Sequence, residues 1–209
     1  ISKSLFSGEK DSHYLLQVEQ QLVLLLGLGE NPSYKEIETV FRRILSKHSN
    51  LVEKEVALDF PSELSSDQVE AALVGFILGG YSIGFYKKNP PEDFGKLKIS
   101  VFSTLEKPKN LIERAEKIAA AKIEAFKLVD LPPNKITPAN LADWAKNLGK
   151  KGKLTVKVLD SKKAKAEGLE AFLAVGRGSA KEPKFIILED RVSKPKFHLG
   201  LVGKGVTFD

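Results

Sequence analysis

The period of apolar and polar positions changes several times along the chain. Residues 14–28 open with a short alternating piece and pass into a continuous apolar run bounded by Gly27 and Gly29. Such a run predicts a buried strand in a sheet covered on both faces. Asn31-Pro32-Ser33 then reads as a helix start, with Ser33 as N-cap and Glu36 three residues later. Ile37, Val40, Phe41, Ile44 and Leu45 follow at helical spacing. A strand is expected over Glu53 to Leu58. Ser65 or Ser66 caps a second helix that carries Val69, Ala72, Leu73, Phe76 and Ile77 and ends near Gly79-Gly80. Leu97 to Phe102 alternates as a strand. Strand and helix in turn predict an α/β domain over residues 1–108.

Lys107-Pro108-Lys109-Asn110 is the expected boundary, and residues 109–209 the second domain. A long helix follows from about Leu111 to Val129, with Ile112, Ala115, Ile118, Ala119, Ile123 and Phe126 on one face; it stops before Pro132-Pro133. Thr137 and Pro138 are an N-cap and a first helical residue. Their helix carries Leu141, Trp144, Ala145 and Leu148, and Gly149 is expected to end it. Four strands are expected beyond: Leu154 to Leu159, Phe172 to Val175, Lys184 to Leu188 and Phe197 to Val202.

Composition narrows the function classes. The 209 residues are 42% hydrophobic, enough to build a core. There is no cysteine, which excludes disulfides, thiolate metal sites and thiol catalysis. The longest uncharged apolar stretch, Ala71 to Tyr86, is shorter than a spanning helix and holds four glycines, so no membrane partner is expected. The absence of methionine leads us to expect a piece of a longer product. The net charge of +6 joins unlike halves: 12 Lys+Arg against 15 Asp+Glu up to residue 108, and 21 against 12 beyond it. The basic half raises nucleic acid as a partner, but no aromatics are interleaved with its lysines to stack on bases, so that role is disfavoured.

Several motifs fail on their own requirements. Gly27-Leu28-Gly29 after an apolar run begins a dinucleotide fingerprint, but the third glycine would fall at Pro32. Gly203-Lys204-Gly205 lacks both the upstream glycine of a phosphate loop, which would stand at His198, and the hydroxyl residue after the lysine. Ser179 follows Gly178 directly, so no nucleophile elbow forms. His13, His48 and His198 are scattered, with no pair at i,i+4. Lys204 breaks an apolar, glycine-rich stretch that closes on Asp209.

That last stretch, Val202-Gly203-Lys204-Gly205-Val206-Thr207-Phe208-Asp209, resembles the start of the metal-binding signature of the leucyl aminopeptidases, the cytosol aminopeptidase family. Leu131-Pro132-Pro133-Asn134-Lys135-Ile136-Thr137-Pro138 resembles the Pro-Pro-Asn-x-x-Thr-Pro turn of that family. Gly168 to Ser179 resembles its Leu-Ala-Val-Gly-Gln-Gly-Ser block, with Arg177 where Gln is usual. The three occur in family order. The resemblance implies a macro-like N-terminal α/β domain over 1–108 and the beginning of an α/β/α catalytic domain over 109–209. It also implies an aminopeptidase that removes N-terminal, leucine-type residues from peptides with a free N-terminus. Two divalent metal ions (manganese, zinc or magnesium), a homohexamer and a cytoplasmic location come with it. Lys204 is then a ligand of one metal and Asp209 a bridge between both; no other catalytic residue is expected in these 209 positions. In the family the signature runs on into Ser-Gly-Gly and further ligands, so the 209 residues alone are expected to be inactive. The alternative is a non-catalytic α/β module that binds a nucleotide or nucleic acid.

The chemistry of the pair is coherent. Lysine ligates only as the neutral amine, so nearby dications must depress its pKa. Asp209 is a hard ligand suited to these metals. The two stand five apart, which on a flat strand sends them to opposite faces, so the flanking glycines must let the backbone bend.

Overall fold

The computed structural model describes residues 5–52, 54–84, 88, 94, 96–106, 108–190 and 194–207. The chain forms two compact units, 1–127 and 128–209; among the described residues the first mixes helices with two two-stranded sheets and the second with one.

In the first unit, strands β1 (His13–Val18) and β2 (Gln21–Leu26) form an antiparallel hairpin, with His13 opposite Leu26 and Val18 opposite Gln21. Glu19 turns the chain with a left-handed φ of 55°. This corrects the expected single buried strand. Leu15, Val18 and Leu22 are exposed, so the apolar run is a half-covered hairpin. The Val18-Glu19-Gln20-Gln21 turn carries none of the Gly or Asn that announces a tight reversal. Helix α1 (Tyr34–His48) starts with the full capping box: Ser33 accepts from the Glu36 amide while Glu36 accepts from the Ser33 amide. A short 3-10 turn, Ser49–Leu51, leads to β3 (Glu55–Asp59). Helix α2 (Ser66–Gly79), capped by Ser65, crosses over to β4 (Lys98–Phe102), which lies parallel to β3. A helical crossover is what a parallel pair requires. Helix α3 (Pro108–Val129) closes the unit.

The core sits between α1, α2, β3 and α3. Helix α2 is apolar on nearly all sides and is buried accordingly. Its Gly75 and Gly79 face α1: a Cβ on Gly75 would overlap the Glu38 carbonyl, and one on Gly79 would stand 2.6 Å from the Arg42 carbonyl oxygen. Ala115 and Ala119 of α3 are fully buried in the same core. The composition break at 107–109 therefore marks where α3 starts, while the compact unit runs on to Lys127.

The second unit holds α4 (Pro138–Gly152), β5 (Thr155–Leu159), α5 (Ser161–Ala166), α6 (Glu170–Gly176) and β6 (Phe185–Glu189), with β5 and β6 antiparallel. Two expectations change here. Phe172 to Val175 lies in α6, where Phe172 meets Phe185 of β6 edge to face at 5.4 Å. Phe197 to Val202 is assigned to no strand and is exposed. Gly149 does not end α4. It is buried inside the helix, and a Cβ there would overlap Val156 Cγ2 of β5. Gly149→Ala should therefore destabilise this unit by about 1–2 kcal/mol despite alanine's better helix propensity, because β-branched Val156 has few rotamers to escape into. Urea unfolding followed by Trp144 fluorescence checks this; a gain in stability would show that the helix and β5 are not packed this closely.

Candidate functional site

The motifs singled out in the sequence do structural work first. Pro132 opens a turn whose carbonyl accepts from the amides of Lys135 (2.7 Å) and Ile136 (3.1 Å). Thr137 then caps α4, its hydroxyl accepting from the Asn140 amide, while the Thr137 amide donates to Asn140 Oδ1 at 3.2 Å. The Pro-Pro-Asn-x-x-Thr-Pro segment is thus a rigid entry to α4. In the second motif Gly168 takes φ 74°, which favours glycine, and starts the turn into α6. The Ser179 amide donates to the Gly176 carbonyl at 3.1 Å, and the Ser179 hydroxyl accepts from the Lys181 amide at 3.0 Å. Ser179 is a turn residue after α6, in keeping with the failed nucleophile pattern.

Lys204 lies in segment 194–207, to which no helix or strand is assigned, and it is exposed. Nothing crowds Gly203, and the nearest neighbour of a Cβ on Gly205 would be Leu141 Cδ2 at 3.9 Å. Both glycines therefore leave the backbone open to close approach. Asp209 lies outside the described residues, so the expected pairing with Lys204 has no geometry here. Among the described residues no group of three or more histidines, aspartates and glutamates could hold a metal ion. Lys204 by itself does not make a metal site, and no chemical step is derived through one. His198 is exposed near Lys204 in sequence. His13 and His48, 35 residues apart, meet edge to face with ring centroids 4.8 Å apart, a contact that no spacing rule could reveal.

Buried charge concentrates elsewhere, in the first unit. Glu38 of α1 and Glu70 of α2 are nearly inaccessible. Glu38 accepts from Lys35 Nζ at 2.9 Å and from Lys122 of α3. Glu70 pairs with Arg114 Nε of α3 at 2.9 Å and accepts from the Tyr34 hydroxyl at 3.4 Å. Burial, with the two carboxylates beside it, pushes the Tyr34 phenol up to about 12, so it stays a donor. These residues brace the helices and lie in the other unit from Lys204.

Residues 124–209 match the cytosol aminopeptidase family, catalytic domain. Relatives named probable cytosol aminopeptidase agree over almost the whole chain. The one from Mycobacterium ulcerans is 34% identical over 197 residues, 90% of this chain and 38% of the relative. That from Synechococcus elongatus is 31% identical over 189 residues (90% and 39%), and that from Prochlorococcus marinus 30% over 220 residues (100% and 44%). The fold agrees with the bottromycin maturation enzyme BotP in complex with Mn, at a TM-score of 0.72 and 21% identity over 89% of this chain and 40% of that one. It also agrees with a mutant of tomato leucine aminopeptidase, at a TM-score of 0.71 and 23% identity over 87% and 38%. The chain belongs to the cytosol aminopeptidase family, and it spans about two fifths of the length of these relatives. No described helix is long and apolar enough to cross a membrane.

Proposed function

We propose that the chain is part of a metal-dependent aminopeptidase that releases N-terminal, leucine-type residues from peptides. The observation that carries the reading is the family match over residues 124–209, which contains all three sequence motifs in order. The match is to the catalytic domain, which weighs against a non-catalytic binding module. In this reading residues 1–108 are the macro-like N-terminal domain, and the catalytic domain takes up the chain from about 109. The cytosolic relatives support a cytoplasmic location. The homohexamer implied by the resemblance belongs to the same proposal.

Lys204 and Asp209 are the proposed metal ligands of this chain. Two divalent cations, when bound, would polarise a peptide carbonyl and make hydroxide available near neutral pH. Which of manganese, zinc and magnesium fills the site is open to the test below; the Mn in the BotP complex favours manganese. Two ligands cannot hold two metals, so the 209 residues alone should show no metal-dependent release of leucine from a leucine anilide. Turnover by this chain alone would overturn the assignment of missing ligands.

The two ligands differ in kind, which gives a second test. A bridging carboxylate offsets the repulsion between two dications, whereas a neutral amine serves one. In the full-length enzyme Asp209→Asn should lose about two metals per chain and Lys204→Ala about one, taking a two-metal site as reference. Elemental analysis after dialysis reads both. If Asp209→Asn keeps both metals while Lys204→Ala loses both, the assigned roles are wrong.

A further inference from the structure

The glycines of the failed dinucleotide fingerprint serve a different purpose. Segment 8–12 runs beside residues 27–29. The Asp11 amide donates to the Gly27 carbonyl (3.1 Å), the Gly27 amide to the Ser12 carbonyl (2.8 Å) and the Gly29 amide to the Gly8 carbonyl (3.0 Å). A Cβ on Gly27 would overlap Glu9 and Ser12, and Gly29 takes φ 74°. Only glycine lets the two segments lie this close.

Side chains then fasten this segment to α1. Asp11 accepts from Arg43 Nη1 at 2.6 Å and from Lys47 Nζ at 3.4 Å, both in the C-terminal half of the helix. Lys10 pairs with Glu36 at the other end of the helix, at 2.6 Å. His13, the first residue of β1, puts its ring edge to face with His48, the last residue of α1, at an interplanar angle of 75°. Asp11, His13, Arg43, Lys47 and His48 line one small pocket whose apolar wall includes Leu26, Val40 and Ile44.

We propose that this cluster is an acid-sensitive latch: it holds segment 8–13 on α1 at neutral pH and releases it as the His48 imidazole takes up a proton. The charges face one another from every element that packs there. With the His48 ring neutral, the Asp11 carboxylate meets the cations of Arg43 and Lys47, an excess of one positive charge. With it protonated the excess is two. The C-terminal end of α1 favours a cationic His48, but burial, with His13 and Lys47 beside it, outweighs that and holds His48 below its ordinary value. Protonation therefore favours the open form. The latch is at full strength above the ordinary histidine value near 6.5 and weakens as the pH falls below it.

The carboxylates do not confuse this window. Burial raises Asp11, but Lys47 and Arg43 outweigh it and hold Asp11 below the usual aspartate value. The Lys10 hydrogen bond and the Ser33 amide hold Glu36 at about 2. Neither carboxylate therefore changes charge between pH 7.5 and 5.5.

Amide hydrogen exchange on the whole chain tests the latch. The protection factors of the Asp11, Gly27 and Gly29 amides, corrected for intrinsic exchange, should fall several-fold from pH 7.5 to 5.5. For one histidine a one-unit depression gives a fall of about fivefold over this window, and no depression, however large, gives more than about tenfold. The amides of α2 should keep their protection. In His48→Gln the fall should vanish, and in His13→Gln it should shrink. An equal fall in wild type and His48→Gln, or no fall in wild type, overturns the proposal. If His48→Gln does not fold, the ring-proton titrations of wild type decide: His48 must titrate below 6.5, and must rise in His13→Gln. A His48 that titrates normally also overturns it.

Discussion

A chain ending at residue 107 should fail to fold cooperatively, whereas one ending at residue 127 should melt in a single transition. The reason is what α3 covers. Ala115 and Ala119 are fully buried, and Leu111, Ile112, Ile118, Ile123 and Phe126 pack on the same core. Burying these partly covered side chains is worth on the order of 5 kcal/mol in total, comparable with the whole stability of a small domain. Phe126 is further held by Arg42, whose guanidinium lies 4.8 Å from its ring centroid, and by Tyr81 at 5.7 Å. Removing α3 also strips Lys122 from buried Glu38 and Arg114 from buried Glu70. Glu38 keeps Lys35, but Glu70 is left, among the described residues, with the Tyr34 hydroxyl alone, and a carboxylate that loses its cation is strongly destabilising. Circular dichroism melts of the two truncations give the answer; cooperative unfolding of residues 1–107 would show that α3 is an accessory. By the same logic, limited proteolysis of the whole chain should cut first beyond Lys127, in the 130–136 turn, rather than at 104–112.

The strength of this clamp should depend on pH in a defined direction. Burial raises Glu38, but Lys122 and Lys35 outweigh it and hold it below the usual glutamate value. A depressed carboxylate stabilises fully above about 4.5 and loses that contribution as the pH falls through its lower folded value. Lys122→Ala should cost about 1–2 kcal/mol at pH 7; the partly exposed ammonium and the remaining Lys35 keep this below the full penalty of a broken buried pair. The cost should shrink at pH 3.5, as measured by urea titration at both values.

Gly75→Ala should damage the packing of the first unit severely, at about 2–3 kcal/mol. Alanine normally gains about 1 kcal/mol over glycine inside a helix. Here its Cβ would enter the Glu38 backbone, which no rotamer change relieves. The helices would have to separate, loosening Ile37, Phe41 and Phe76 together. Gly178→Ala, where nothing lies within 4 Å of the new carbon, should stay within about 0.5 kcal/mol of wild type and serves as the control. Equal stability of the two variants in chemical denaturation would mean that α1 and α2 do not meet this closely.

Local chemistry by itself determined most of the helices. Ser33 with Glu36, Ser65 with Gln68, and Thr137 with Pro138 mark their starts, because a cap needs only residues within one turn of itself. Apolar spacing located β3, β4, β5 and β6 to within a residue or two. Three ordered motifs were enough to reach the family, since they are sequence strings and need no coordinates. Tertiary structure decided the rest. Leu24 and Leu26 are packed on the core while Leu22 of the same run is exposed, and only the hairpin's seat on the core makes that distinction. Phe172 to Val175 is apolar enough for a strand or a helix, and packing against β6 selected the helix. Gly149 reads as a helix end until Val156 lies against it, and α3, which starts at the composition break, buries its alanines in the core of the first unit, which no local signal announces. His13 met His48, and Glu38 met Lys122 across 84 residues, because folding joins what separation along the chain conceals. Lys204 could be picked out as a lone cation among glycines, but a metal site is a convergence of distant ligands, and convergence is a property of the fold.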